Sequence, residues 1–254
     1  MKYKLSLIIP SVHYDQWTRL YSEMTQACKT HTFEMIFVGP HSDPQALALE
    51  NVKFVKDFGS PARCFQIGSL IAEGEFIALA VDDAQIMPNA FDIVFQQIED
   101  INIQDDVINL LYSEGGGNQH LNPNYWLAHT HDDLRKPGVR EGWKACGVFM
   151  YRLDTWYKFG GLDCSFEHIN MNIHDLAFTI QANGGRAINS SIMVYNVGWV
   201  PWNNENKSAV QLAWEQNDKP RFEQLYSDTD YTLKRNIDIN NWKNQPTVWQ
   251  RKRI

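Results

Sequence analysis

Cysteine is scarce in this 254-residue chain: Cys28, Cys64, Cys146 and Cys164, with no paired spacing among the four. That excludes a zinc ribbon or a Cys-x-x-Cys redox motif, and the thiols read as reduced core residues of a cytoplasmic protein. Long apolar runs are missing too. Met1 to Lys4 is partly basic and Leu5 to Ile9 is apolar, but Pro10 ends the run too early for a secretory leader. No stretch approaches the roughly 20 residues that a bilayer span needs, so a soluble or peripherally attached protein is expected. Positive charge is in deficit: 23 Lys and Arg against 30 Asp and Glu leave a net charge of -7. Bulk nucleic-acid binding is excluded on that ground. Arg251-Lys252-Arg253 is too short a basic cluster to anchor the chain to a membrane. Internal repeats and low-complexity segments are absent.

What is present supports a full core. The hydrophobic fraction is 44%, enough for one large α/β domain or two small ones. Short apolar runs at Leu5–Ile9, Phe33–Val38, Val52–Val55, Val107–Tyr112 and Ala187–Val197 read as buried strands. Apolar residues three and four apart place helices over Asp15–Lys29, Pro88–Glu99 and Ile173–Asn183. A further helix, over Ala209–Gln216, is expected to dock on the domain. Ser60-Pro61 carries the preferred cap and first-turn residues of another helix, with Arg63 in its first turn. A helix N-terminus beside a guanidinium is a good diphosphate site, and the plain alternative is a surface arginine. Nine tryptophans are many for this length; aromatic faces stack on sugar rings, though most large aromatics fill cores.

The most informative stretch is Glu75 to Ala84. An apolar run with no helical stripe ends in two adjacent carboxylates, Asp82 and Asp83. Carboxylates at the carboxyl end of a buried strand lie where open α/β sheets bind ligands. Two neighbouring negative charges favour a cation or a proton between them. A hard divalent cation carrying a phosphate suits that pair. The competing reading makes Asp83 the cap of a helix opening near Pro88.

The order Gly59-Ser60-Pro61-Ala62-Arg63, Gly68, Ala72-Glu73-Gly74-Glu75-Phe76-Ile77, then the acids and Pro88, resembles the nucleotide-sugar half of family 2 glycosyltransferases. Phe159-Gly160-Gly161-Leu162-Asp163 and Asp175-Leu176, with Gly184 behind them, resemble the acceptor half of the same family. The likeness covers roughly residues 4 to 195. It implies the GT-A fold, a Rossmann-like, mostly parallel central sheet flanked by helices. The expected organisation is a domain over 1–198, with a nucleotide-sugar half at 1–99 and an acceptor half at 100–198, and a packed C-terminal helical extension at 199–254.

The resemblance also implies chemistry: transfer of a sugar from a nucleotide-diphosphate donor to a glycan or other hydroxyl acceptor, with inversion and Mn²⁺ or Mg²⁺ assistance. Pro10, Ser11, Gly39, Arg63, Asp82 and Asp83 would face the donor, with Asp83 and Asp82 toward the metal. Gly161, Asp163 and Trp143 would border the acceptor. Gly39-Pro40 stands where the family usually has an aspartate on the base, so the glycine backbone, His41 or Asp43 would take that contact. The family's Glu-Asp-x-Asp-Leu pattern falls on Asn172, Ile173, His174, Asp175 and Leu176. The base would then be Asp175, with His174 or Glu167 as alternatives. Loss of activity, leaving a nucleotide- or glycan-binding relative, is the other outcome. The irregular residues 113–142 read as an acceptor-side lid. They contain His129-Thr130-His131-Asp132-Asp133, whose His129, His131 and Asp133 have the spacing of a zinc hydrolase site, although Leu134 stands where such sites continue with histidine.

Overall fold

The computed structural model describes residues 1–41, 48–114, 143–197, 208–227 and 235–251. The strands are β1 (Tyr3–Pro10), β2 (Phe33–Gly39), β3 (Val52–Lys56), β4 (Gly74–Leu79), β5 (Gln85–Ile86), β6 (Val107–Glu114), β7 (Phe149–Arg152) and β8 (Ala187–Val197). The helices are α1 (Trp17–Ala27), α2 (Pro61–Ser69), α3 (Ala90–Ile101), α4 (Leu153–Phe159), α5 (Ile169–Ala182), α6 (Ala209–Ala213) and α7 (Lys219–Leu225). A π-helical turn, Trp214–Asp218, joins the last two.

All eight strands form one sheet in the order β3-β2-β1-β4-β7-β6-β8-β5. β1 runs parallel to β2 and β4, β2 to β3, and β6 to β8, while β7 and β5 run antiparallel to their neighbours. This is the mostly parallel α/β sheet expected from the sequence. The chain goes outward from β1 through β2 to β3, then returns to β4 on β1's other side. The reversal opens a crevice at the carboxyl ends of β1 and β4, the usual ligand position in open α/β sheets.

The core explains the strand assignments. Leu5, Leu7, Ile8 and Ile9 of β1, Met35 to Val38 of β2 and Ile77 to Ala80 at β4 are buried on both faces of the sheet. Ser6 and Glu34 share that core as a bonded pair: Ser6 Oγ donates to Glu34 Oε1 at 2.6 Å. The backbone N–H of Glu73 donates to the same oxygen at 2.6 Å, and Lys53 Nζ lies 2.8 Å from Oε2, so the buried charge is met. Ser60 caps α2 as expected, accepting from the Arg63 N–H at 3.3 Å with Pro61 at the first helical position. α3 begins two residues later than expected because Asn89 takes a left-handed conformation (φ 58°) ahead of Ala90. Among the described residues no helix is long and apolar enough to cross a membrane.

Residues 235–251 lie as a strap along α2, the Gly160-Gly161 turn and the start of α5. Phe58 bridges Val248, and the Trp249 N–H donates to the Phe58 carbonyl at 2.7 Å.

Candidate functional site

β4 delivers Asp82 and Asp83 to the crevice. Asp82 is buried, and its Oδ2 accepts from Ser11 Oγ (3.0 Å), the Val12 N–H (2.6 Å) and the His13 N–H (2.6 Å). Ser11 is buried as well, with its Oγ accepting from the Trp17 indole at 2.7 Å. Ser11 and Asp82, both expected to touch a donor, are therefore bonded to each other, and Asp82 serves as the clip between β1's loop and β4. Pro10 is the half-buried last residue of β1, paired with Val38. Gly39 is demanded by packing: a Cβ there would fall 1.9 Å from the Ser11 carbonyl oxygen. His41 packs its ring edge-on to Trp17 (5.3 Å) beside Tyr14, and Asp43 lies outside the described residues.

Asp83 is left exposed at the mouth of the crevice. Even so, the surrounding protein withholds part of its hydration, and this first, the Asp82 charge second, raises its carboxyl above the usual range. Asp83 does not cap α3, whose cap position is Asn89. The turn that carries it is fastened from α1. Arg19 Nη1 donates to the Ala84 carbonyl at 2.9 Å and to Glu23 at 2.9 Å, and Glu23 accepts from the Ile86 N–H at 2.9 Å. The i,i+4 spacing of Arg19 and Glu23 is legible in the sequence but reads as an ordinary helix-surface pair.

Arg63 is not a surface residue, and it does not stand free for a diphosphate. It is buried, and its Nε and Nη2 grip Asp57 at 3.0 Å each. Nη1 donates to the Trp242 carbonyl at 2.6 Å, with the Trp242 ring 4.8 Å from the guanidinium. Ser60 Oγ donates to Gln245 Oε1 at 2.8 Å, so the start of α2 is covered by the strap.

The acceptor-side residues divide. Gly160 and Gly161 both take positive φ (79° and 68°). A Cβ on Gly160 would meet the Ile237 carbonyl oxygen at 1.8 Å, and one on Gly161 would meet Gln66 at 2.5 Å. Gln66 holds this turn by accepting from the Leu162 N–H at 2.9 Å and donating to the Gly160 carbonyl at 3.1 Å. Asp163 is largely buried, accepting from the Ser165 N–H at 2.9 Å, with Asn172 bracing its backbone from α5. Trp143 stacks on Phe178 of α5 (6.3 Å) and packs against a second apolar cluster that includes Phe166.

Asp175, the first choice for a base, is fully buried. Arg235 Nε donates to its Oδ2 at 2.8 Å and Tyr226 Oη to its Oδ1 at 3.1 Å. Burial raises this carboxyl, and Arg235 opposes the shift. Ile173, second in the stretch that resembles the Glu-Asp-x-Asp-Leu pattern, is buried and apolar. His174 is half-buried beside Asp175 on α5. Glu167 is the partly exposed carboxylate of the group, held bidentately by Arg251 (Nη2 to Oε1, 2.7 Å). The partners Arg235, Gln245 and Arg251 have no sequence signal, because they sit in a polar stretch without periodicity. His129, His131 and Asp133 lie outside the described residues, as does most of the expected lid.

A cavity of about 810 Å³ opens between the start of α2, the 163–167 turn, the α6–π segment and the strap. Asp163 and Glu167 line it; Asp82 and Asp83 do not. The site thus has two parts: an exposed carboxylate at the crevice between β1 and β4, and a cavity of mixed polar and apolar lining walled by the strap.

No family model and no curated protein matches the chain. Solved structures do. The chain is similar to S. aureus TarS with a TM-score of 0.56 and 16% identity, over 78% of this chain and 37% of that one. The same score and identity hold for TarS 1-349 in complex with UDP, over 61% of that chain. TarS 1-349 in complex with UDP-GlcNAc matches at 0.55 and 17%, over 79% of this chain and 60% of that one. The chain therefore spans 37 to 61% of these TarS chains, less than two thirds of each. Over that span it shares their fold, the GT-A-like α/β fold that the strand order and the motif order both indicate.

Proposed function

We propose that this protein is a glycosyltransferase that moves a sugar from a nucleotide-diphosphate donor to a hydroxyl acceptor. The observation that carries the reading is the exposed Asp83 carboxylate, held at the switch-point crevice of a GT-A-like sheet by the Asp82 clip and the Arg19–Glu23 fastening. The UDP and UDP-GlcNAc complexes of TarS support a nucleotide sugar as the donor class.

Asp83 would hold Mn²⁺ or Mg²⁺. Among the described residues no three His, Cys, Asp or Glu side chains gather as a metal cage. The donor set suits a hard cation whose remaining positions go to diphosphate and water, as Mg²⁺ tolerates. Such an ion would stabilise the charge growing on the leaving diphosphate. On this reading Glu167, partly exposed and lining the cavity, would leave its Arg251 pair to take the acceptor proton, whereas Asp175 is fully buried against Arg235. A base of this kind contributes roughly 10²–10⁴-fold.

A second reading is favoured by one observation: Asp175, the first choice for the base, is fully buried and ion-paired, and the buried Ile173 two residues before it carries no acid. On that reading the protein binds a nucleotide sugar and transfers nothing. A thermal-shift series with UDP, with and without Mn²⁺, tests both. A metal-dependent shift is expected, equivalent to about 2.7 kcal/mol at 100 times the dissociation constant, and it should vanish in Asp83→Ala. No shift with any nucleoside diphosphate would sink the proposal. Release of UDP from UDP-GlcNAc that falls at least a hundredfold in Glu167→Gln separates transfer from mere binding.

A further inference from the structure

We infer that the cavity walled by the strap is a subsite for a neutral oligosaccharide, and that it seats the acceptor. The word acceptor rests on the glycosyltransferase reading; the binding of a saccharide does not.

The lining carries the argument. Its cation is Arg251, and that charge is already taken: Nη2 reaches Glu167 at 2.7 Å and Nη1 reaches Gln216 at 2.7 Å. No lysine or second arginine lines the cavity among the described residues, whereas Asp163 and Glu167 both do. Asp163 is paired with Arg221 at 3.4 Å and Glu167 with Arg251, so a phosphorylated or carboxylated ligand would find no free cation among the lining residues. The rest of the polar wall is amide and hydroxyl, including the exposed Asn244 and Gln250. Amides both donate and accept, which matches the mixed demand of sugar hydroxyls. Trp249 supplies the aromatic element. Its Nε1 donates to Glu167 Oε2 at 3.3 Å and its backbone N–H to Phe58, so the indole is fixed in the wall before any ligand arrives. An amphipathic ring of this kind can stack on the apolar face of a pyranose. A volume of about 810 Å³ falls within the range of cavities that enclose drug-sized ligands, and a trisaccharide is of that size.

The strap explains why this wall exists. Gln245 donates to the carbonyls of Cys164 and Phe166, and Asn241 accepts from the Cys164 N–H at 2.7 Å. The strap is thereby bonded to the same turn that presents Asp163 and Glu167. Any acceptor entering here would lie against the proposed base.

Saturation-transfer NMR on the full chain tests this with three probes: maltotriose, the β-1,4 trimer of N-acetylglucosamine, and 3′-sialyllactose as an anionic trisaccharide of similar size. Transfer to at least one neutral trimer is expected, with tenfold or greater weakening in Trp249→Ala. Asn244→Arg, on an exposed residue, should weaken it similarly without touching the fold, and decides the matter if Trp249→Ala unfolds. No transfer to either neutral trimer, stronger binding of 3′-sialyllactose, or unchanged binding in Asn244→Arg overturns the subsite. The UDP thermal shift is read on the same samples. Trimer binding with no UDP shift in any condition keeps the saccharide site and removes its role as an acceptor site.

Discussion

Asp175 and Arg235 depend on each other, because neither charge reaches water: their side chains are 0% and 1% exposed. Arg235 also donates to the carbonyls of Phe159 and Gly161, at 2.7 and 2.8 Å, so its fork joins α5 to the glycine turn. Removing one member of a buried pair strands the other, at a cost of about 3–5 kcal/mol. Asp175→Asn should therefore lower the melting temperature by on the order of 10 °C for a chain of this size. The Asp175→Asn/Arg235→Met double variant should melt above the single one. A single variant that keeps its melting point but loses turnover would return Asp175 to the chemistry. The sequence marks Asp175 as chemical because a carboxylate follows a family pattern there. Its real partner lies 60 residues downstream in a stretch without any pattern. Arg63 repeats the lesson: a first-turn arginine after Ser60-Pro61 looks like a phosphate ligand, and Asp57 and the Trp242 carbonyl have already claimed it.

The start of α5 is held from another element. Asp218, at the end of the π-helical turn, is buried and accepts from the N–H groups of Glu167 (2.8 Å) and His168 (2.7 Å). The turn before a helix thus receives its bonds from a carboxylate 50 residues away. Burial pushes the Asp218 carboxyl up to about 7, against the pull of those bonds. An unfolded aspartate ionises near 3.9. Between roughly pH 4 and 7 the native chain therefore keeps a proton that the unfolded chain releases, and raising the pH favours unfolding. This contribution is fully present below the unfolded value and is lost as the pH rises through about 7. Denaturant melts at intervals from pH 4.5 to 8 should show that slope, and Asp218→Asn should flatten it. Equal slopes in both proteins would remove Asp218 as the source. Local composition predicts α2, α3 and β1 well because capping and periodicity are short-range properties. It says nothing about Asp218, whose partners are chosen by packing.

At the scale of the molecule, one sheet organises the fold and one strap walls the cavity beside the start of α2. All four cysteines are free and buried, spread between α1, α2, the segment before β7 and the turn at 164. Burial pushes the thiols of Cys28, Cys64 and Cys146 up to about 12 and raises Cys164 in the same direction. A maleimide should label none of them in the native protein at neutral pH and all four after denaturation. Rapid labelling of any one without denaturant would place that thiol at a working site. By itself, the sequence determined most of the strands and helices, the strand-end position of Asp82 and Asp83 and the tight glycine turn, but not the two-residue β5. Each of these follows from burial, capping or backbone freedom within a few residues. Only the tertiary structure decided which charged groups stay available. Asp82, Arg63 and Asp175 are met by partners 6 to 179 residues away, and Asp83 is left open to water. The physical reason is that a buried charge must be neutralised or bonded wherever the fold brings it, and that requirement is settled between distant segments.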